Sequence, residues 1–445
     1  MIEITPELVV IIMLGGLLIG VFSGFPLAYI VGFLALVMGV LVWREQVAEM
    51  LYLRVVSLML TYQLLAIPLF VVMGEMLERS GIIEKLYDAL YVWLGGVRGG
   101  LALVTIVVGT VMAATVGVIT ASVTMLTLIA LPSMVKRGYS KSLAGGTCVA
   151  GGVLGILIPP SIMIIIYAFM ANLSIGGMLF GAFFPGFTLA ALYLIYIAIR
   201  SFLQPDIGPP VPAEQRTVPL LRKMKMLLVS LVPPAILVMA VLGVIFFGIA
   251  AATEAAGVGA FAATLLTIAY RRFNWKVLSE VMTATVKLCG FILLVGSMSF
   301  AFTGVFLGAG GGKVVSDAIA AMPGGRWGAF IAIQFIVFLL GFFVDWIGIV
   351  FIMVPIMTPI FQTLGFDPVW AGIMVCVNLQ TSFMTPPFAM AIYICKGAAD
   401  PSLNVSIADI IRGVVPFVLL ILVGMVLFVI WPQIILWLPG KMITR

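Results

Sequence analysis

The chain has 445 residues, of which 63% are hydrophobic and only 9% charged, and a mean hydropathy of +1.29. That composition excludes a water-soluble domain and is that of a polytopic membrane protein. The net charge of +6 is spread over loops, so it reads as membrane orientation and not as nucleic-acid binding, and the absence of histidine removes the commonest metal ligand and general base.

In chain order, Glu3 and Glu7 precede an apolar run that begins at Leu8. An acidic start without Lys or Arg is not a signal peptide and predicts a first span. Spans are expected at about 8–24 and 27–43, then a polar stretch at 44–57 suited to the membrane interface, a third span at 61–78 and a second polar stretch at 79–93. An apolar block at about 99–136 follows, interrupted by Ala113-Ala-Thr-Val-Gly-Val-Ile-Thr-Ala-Ser122. Next come a span at 142–170, broken by Pro159-Pro160, and a last span at 176–199. Residues 201–227, rich in Pro and charge, read as a solvent connector. The same plan then returns: spans at 230–248 and 253–270, a polar stretch at 271–285, a span at 288–306 and a polar stretch at 310–322. A second interrupted block at about 326–362, a broken span at 368–396 with Pro386-Pro387, and a span at 410–437 complete it.

The two halves align at an offset of 227 positions: Arg44 with Arg271, Gly81 with Gly308, Pro132 with Pro359, Gly138 with Gly365, and the two proline pairs. This predicts repeats at 5–200 and 228–438. The interrupted blocks read as re-entrant hairpins, with two short full spans each as the alternative. Either reading crosses the membrane an even number of times, and the five remaining spans per repeat are odd in number, so the second repeat is expected to be inverted. The expected fold is therefore an all-α polytopic membrane protein of two inverted-topology repeats, each with five spans and one hairpin. With the connector cytoplasmic, 17 of the 23 Lys and Arg fall on the cytoplasmic side and 6 on the other, in keeping with the positive-inside rule. Both termini are then expected in a periplasm-like space.

A proline pair removes two N–H donors, and the carbonyls it frees must be covered by protein or a water-filled cavity. Paired breaks in two halves predict a transporter with a midplane site. Each repeat offers oxygen ligands for Na+: Thr115, Gly117, Thr120 and Ser122 with Ile158, Pro159 and Ser161; Asp345 and Gly348 with Thr381, Ser382 and Thr385. Ser161, Asp345, Thr385 and Pro387 are the candidate solute contacts. The competing reading is that these hydroxyls bond back to their own helices, and that Asp345 caps a hairpin helix. Glu75 and Glu254 pair with cations or mark span ends. The four cysteines are expected to be buried thiols, not a disulfide or metal set. Gly308-Ala-Gly-Gly-Gly-Lys313 fits neither a P-loop nor a dinucleotide fingerprint, so no ATPase is expected, and no cofactor beyond Na+ as coupling ion.

Three stretches, Gly151-Gly-Val-Leu-Gly-Ile-Leu-Ile-Pro-Pro-Ser-Ile162, the segment 378–390 with Thr385-Pro-Pro, and Ile67-Pro-Leu-Phe-Val-Val-Met-Gly-Glu75, closely resemble the large membrane subunit of tripartite ATP-independent periplasmic (TRAP) transporters. The resemblance covers essentially the whole chain. It implies an elevator-type, sodium-coupled importer of the ion-transporter superfamily in a bacterial inner membrane, with organic acids as the usual cargo. It also implies two partners, a small four-helix membrane subunit and a periplasmic substrate-binding protein. The tip at 114–122 departs from the family's Gly-Ser-Ser pattern, having Gly117-Val-Ile-Thr120. A stand-alone sodium/anion symporter and a polytopic membrane enzyme are the rival readings. The missing histidine and the lack of a clustered acid–base set count against the enzyme.

Overall fold

Proline, glycine and small polar caps divide the apolar sequence into helices. The computed structural model describes residues 5–117, 119–212 and 218–443, and among them there is no strand. Thr5 caps α1 (Pro6–Phe22), accepting from Leu8 N at 3.4 Å, and Pro6 takes the first helical position, where no N–H is needed. After α2 (Leu27–Trp43) the backbone turns at Arg44, φ 54°, into a 3-10 turn and α3 (Val47–Met59). Then come α4 (Ala66–Arg79), α5 (Ile82–Leu94), α6 (Gly100–Val116) and α7 (Ile119–Val135). The first broken span is α8 (Lys141–Val153) and α9 (Ile162–Met170), and α10 (Ile175–Leu203) follows.

The second half holds α11 (Leu220–Phe246), α12 (Ala252–Ala269), α13 (Trp275–Gly308), α14 (Gly311–Ala320), α15 (Gly325–Leu340) and α16 (Trp346–Thr363). The second broken span is α17 (Pro368–Ser382) and α18 (Met390–Ala398), followed by α19 (Ile407–Ile430) and the short α20 (Gln433–Leu436). A capping box of Ser406 and Asp409 starts α19.

Three boundaries differ from the sequence expectation. The polar stretch at 271–285 and the span at 288–306 are one helix, α13, of 34 residues. Its counterpart in the first half is split between α3 and α4, where Pro68 withholds an N–H from the preceding turn. The second half has Val295 at that place, and Gly290 alone does not break a helix. The connector is shorter than expected, because α11 starts directly after Pro219, where Leu, Arg, Lys and Met favour helix. The last span stops at Ile430, one residue before Trp431-Pro432.

Among the described residues, seven helical segments are long and apolar enough to cross a membrane: 27–59, α10, α11, α12, α13, α16 and α19. The broken spans fall outside that set because the break halves each of them. Packing neighbours recur in corresponding pairs. α4 lies on α12 and α13 on α2; α5 lies on α11 and α14 on α1; α9 lies on α16 and α18 on α7. Positive φ angles recur at the offset of 227 too, at Arg44 and Arg271 (54° and 59°) and at Gly138 and Gly365 (84° and 73°). α19 packs tightly on α8, and a Cβ on Gly146 would stand 2.3 Å from Gly413 O.

Candidate functional site

The base of the α6–α7 pair is tied to the connector. Gly99 N donates to Gly208 O (2.8 Å), Ser140 N to Ile207 O (3.0 Å) and Val211 N to Gly95 O (2.7 Å), while Leu101 N donates to Tyr139 Oη (3.2 Å). Both helices thus begin and end at the same place. At their far end Gly117 takes φ 65° and approaches the broken span so closely that a Cβ there would lie 3.2 Å from Pro160 O. The α15–α16 pair is built likewise. Its base is an aromatic cluster of Trp327, Phe330, Phe366 and Trp370, and a Cβ on Gly341 at its tip would collide with Ser382 Oγ. Asn378 Nδ2 donates to Gln334 O and Oε1 (2.7 and 2.8 Å), fastening α17 to α15.

The breaks themselves differ. Residues 157–161 are buried throughout, and both proline pairs have a cis peptide bond. In the second break Phe383 and Met384 are buried, whereas Pro386 and Pro387 are exposed. The two tips, the second break and the residues flanking the first meet at one cavity of about 300 Å³. Gly117 and Thr120 of the first tip, Asp345 and Trp346 of the second, and Phe383 and Phe388 of the second break line it. Ile156 and Ile162 flank the first break on its wall. α13 closes it with Leu288, Phe291 and Ile292, a contribution the sequence reading had no local signal for.

Most of the candidate residues fall into three groups. Gly117, Thr120 and Asp345 face the cavity. Thr115 Oγ1 donates to Val111 O and Met112 O (3.1 Å each), Thr381 Oγ1 to Asn378 O (2.6 Å), Thr385 Oγ1 to Thr381 O (2.5 Å) and Ser161 Oγ to Ile156 O. Ser161 also caps α9. Those four hydroxyls bond locally, as Ser and Thr in helices commonly do. Ser122 and Ser382 form the third group: their hydroxyls are buried without a hydrogen-bond partner. Ile158 and Pro159 are fully enclosed, and Gly348 lies against Leu27 of α2, away from the cavity.

Asp345 is half-buried and holds the N-cap position of α16 without a side-chain capping bond, its carboxylate facing the N–H groups of Trp346 and Ile347. Glu75 pairs with Arg79, whose Nε is 3.6 Å from Glu280, and Glu254 accepts from Ala251 N (3.1 Å) at the start of α12. Neither acid lines the cavity. Buried amides in the second broken span escaped the sequence reading. Gln380 is fully buried with neither polar atom partnered, and the polar cluster Asn378, Gln380, Thr381 and Ser382 just before the proline pair was the available signal.

The chain is 27% identical over 438 residues, 98% of this chain and 100% of the relative, to the 2,3-diketo-L-gulonate TRAP transporter large permease protein YiaN of Escherichia coli. It is 27% identical over 380 residues, 85% of this chain and 86% of the relative, to the C4-dicarboxylate TRAP transporter large permease protein DctM of Pseudomonas aeruginosa. Among solved structures, the YdaH transporter of Alcanivorax borkumensis aligns with a TM-score of 0.56 at 16% identity, over 82% of this chain and 85% of that one. That likeness is one of fold. The relatives are named as permeases, so the chain is a transport protein and not an enzyme. The family model described as the tripartite ATP-independent periplasmic transporter, DctM component, matches residues 10–434, and the chain belongs to that family.

Proposed function

We propose that the chain is the transport subunit of a sodium-coupled, binding-protein-dependent secondary importer of small organic acids or related solutes. It sits in a bacterial inner membrane as two inverted repeats with both termini periplasmic. It works with a small four-helix membrane subunit and a periplasmic substrate-binding protein; the word tripartite in the family description supports two further components. Relatives named for C4-dicarboxylate, sialic acid and 2,3-diketo-L-gulonate support a carboxylated cargo.

The observation that carries this reading is one cavity lined by both tips, by the second break and by the residues that flank the first. Backbone that leaves its helix inside a membrane is tolerated where it lines such a site. Among the described residues, the only ionisable group on its wall is Asp345. A carboxylate repels an organic anion, so this charge favours a cation role for Asp345 over direct solute contact. The unpartnered hydroxyls of Ser122 and Ser382, one beside each tip, support an ion ligand near each half. An orphan buried hydroxyl costs about 1–3 kcal/mol, which a bound Na+ would offset.

The tip of α6–α7 lies against the break at Pro160 and Ser161, which supports a re-entrant hairpin. We further infer that both hairpins and both broken spans move as one block. The tight seat of α19 on α8, and of α10 on α17 and α9, supports including those last spans in the block, not in the frame. α3 and α5, and their counterparts in α13 and α14, are the linking arms. The test is uptake by vesicles holding the chain with its partners. An inward Na+ gradient is expected to drive accumulation without ATP, and replacing Na+ by K+ to abolish it. Equal uptake in the two salts sinks the sodium claim.

A further inference from the structure

Away from the transport cavity, α5 and the first turns of α11 flank an open groove of about 550 Å³. Lys85 and Asp88 of α5 line it, together with Arg222, Lys225 and Val229 of α11. Spacings of three and seven put the three α11 residues on one helix face. One wall is held in place by Tyr270, which donates from Oη to Val229 O (2.5 Å) while Lys85 Nζ stands 4.5 Å from the centre of its ring. Three cations therefore share the space with one carboxylate. The ion pairs among the described residues join Arg79 to Glu75 and Glu280, and engage none of these three cations.

The surface beside this space is apolar. α11 is long and hydrophobic enough to span a membrane, and Leu228, Val232 and Ile236 are exposed along it just past the cations. A ligand that matches both features has a phosphate at one end and hydrocarbon at the other. Inorganic phosphate satisfies only the cations. Asp88 adds a selection, since a carboxylate on the wall disfavours a doubly charged phosphomonoester relative to a singly charged phosphodiester.

We propose that this space binds the headgroup of an anionic phospholipid, a phosphodiester such as that of phosphatidylglycerol, held by Lys85, Arg222 and Lys225, with its acyl chains along the exposed face of α11. Basic pockets beside spans recognise anionic lipid in this way, and Arg supplies a planar fork for two phosphate oxygens. The bound lipid bridges α5 to α11.

The test uses the purified full chain in detergent, with lipid retention read by native mass spectrometry. Phosphatidylglycerol is expected to be retained and phosphatidylcholine not. Each charge removed weakens retention about fivefold, so the double variant Arg222→Gln/Lys225→Gln loses about 25-fold. The charge-keeping pair Arg222→Lys/Lys225→Arg retains the lipid, and Lys85→Gln alone serves if the double variant does not fold. Wild-type retention by the Gln variants overturns the site, as does equal retention of phosphatidylcholine. Displacement of the lipid by an equal concentration of inorganic phosphate assigns the space to free phosphate and overturns the lipid reading.

Discussion

Asp345 stands where two physical roles diverge under one substitution. It holds the N-cap position of α16 and also faces the cavity shared by both tips. Asparagine caps a helix about as well as aspartate, and it keeps the size and most of the hydrogen bonding. It removes the charge. Asp345→Asn is therefore expected to lower uptake about tenfold or more, the scale of one lost charge-assisted contact, while folded yield and complex assembly stay at wild-type level. Uptake that survives the substitution assigns the residue to capping alone. The sequence singled out Asp345 because a lone acid in an apolar run is costly. It also named Ser122 and Ser382 as candidate ligands but could not separate them from the hydroxyls that bond locally, because an unpartnered hydroxyl is a property of the packing around it and not of the residue.

Elements were legible where the chemistry of a break is local. The proline pairs stop α8 and α17, and Gly117 ends α6 with a positive φ that a side chain disfavours. Elements were less legible where the outcome depends on what is missing. The continuity of α13 follows from the lack of a proline at the place where Pro68 divides its counterpart. The seat of α19 on α8 follows from a backbone contact between Gly146 and Gly413, two residues far apart in the chain. That contact makes a prediction about motion. A Cβ on Gly145 would lie 3.6 Å from Ile410 Cβ, within disulfide range. The pair Gly145→Cys/Ile410→Cys, linking α8 to α19, is expected to leave transport near its uncrosslinked rate after oxidation. A Cβ on Gly348 would lie 3.4 Å from Leu27 Cγ, so Gly348→Cys/Leu27→Cys links the second hairpin to α2. Oxidation of that pair is expected to stop transport, and reduction to restore it. Arrest by the first pair returns α19 to the frame, and free transport through the second refutes a moving block.

For the whole molecule, orientation joins the charge pattern to the packing. With the connector taken as cytoplasmic, the counts of Lys and Arg agree with the positive-inside rule on sequence grounds alone. The structure adds that the connector bonds to both ends of the α6–α7 pair through Gly208, Ile207 and Val211, so these three segments share one side whatever the span count. Arg137 donates to Tyr91 Oη, and Lys136, Arg137 and Lys141 cluster around that same base. The base of the second hairpin is aromatic, with Trp327 edge-on to Phe366 and Trp370, Trp370 stacked on Phe366 and Arg326 over Trp327, the amphipathic ring chemistry of a membrane–water boundary. The proposed inversion requires the two hairpin bases to lie on opposite sides. Asp206 in the connector and Lys441 near the end of the chain are both exposed. In a chain whose half-buried Cys289 is replaced by Ser, a membrane-impermeant maleimide applied to spheroplasts is expected to label Lys441→Cys at once, and Asp206→Cys only after permeabilisation. The reverse pattern turns the molecule over. Labelling of both from outside breaks the odd number of crossings between connector and terminus on which the inverted reading depends.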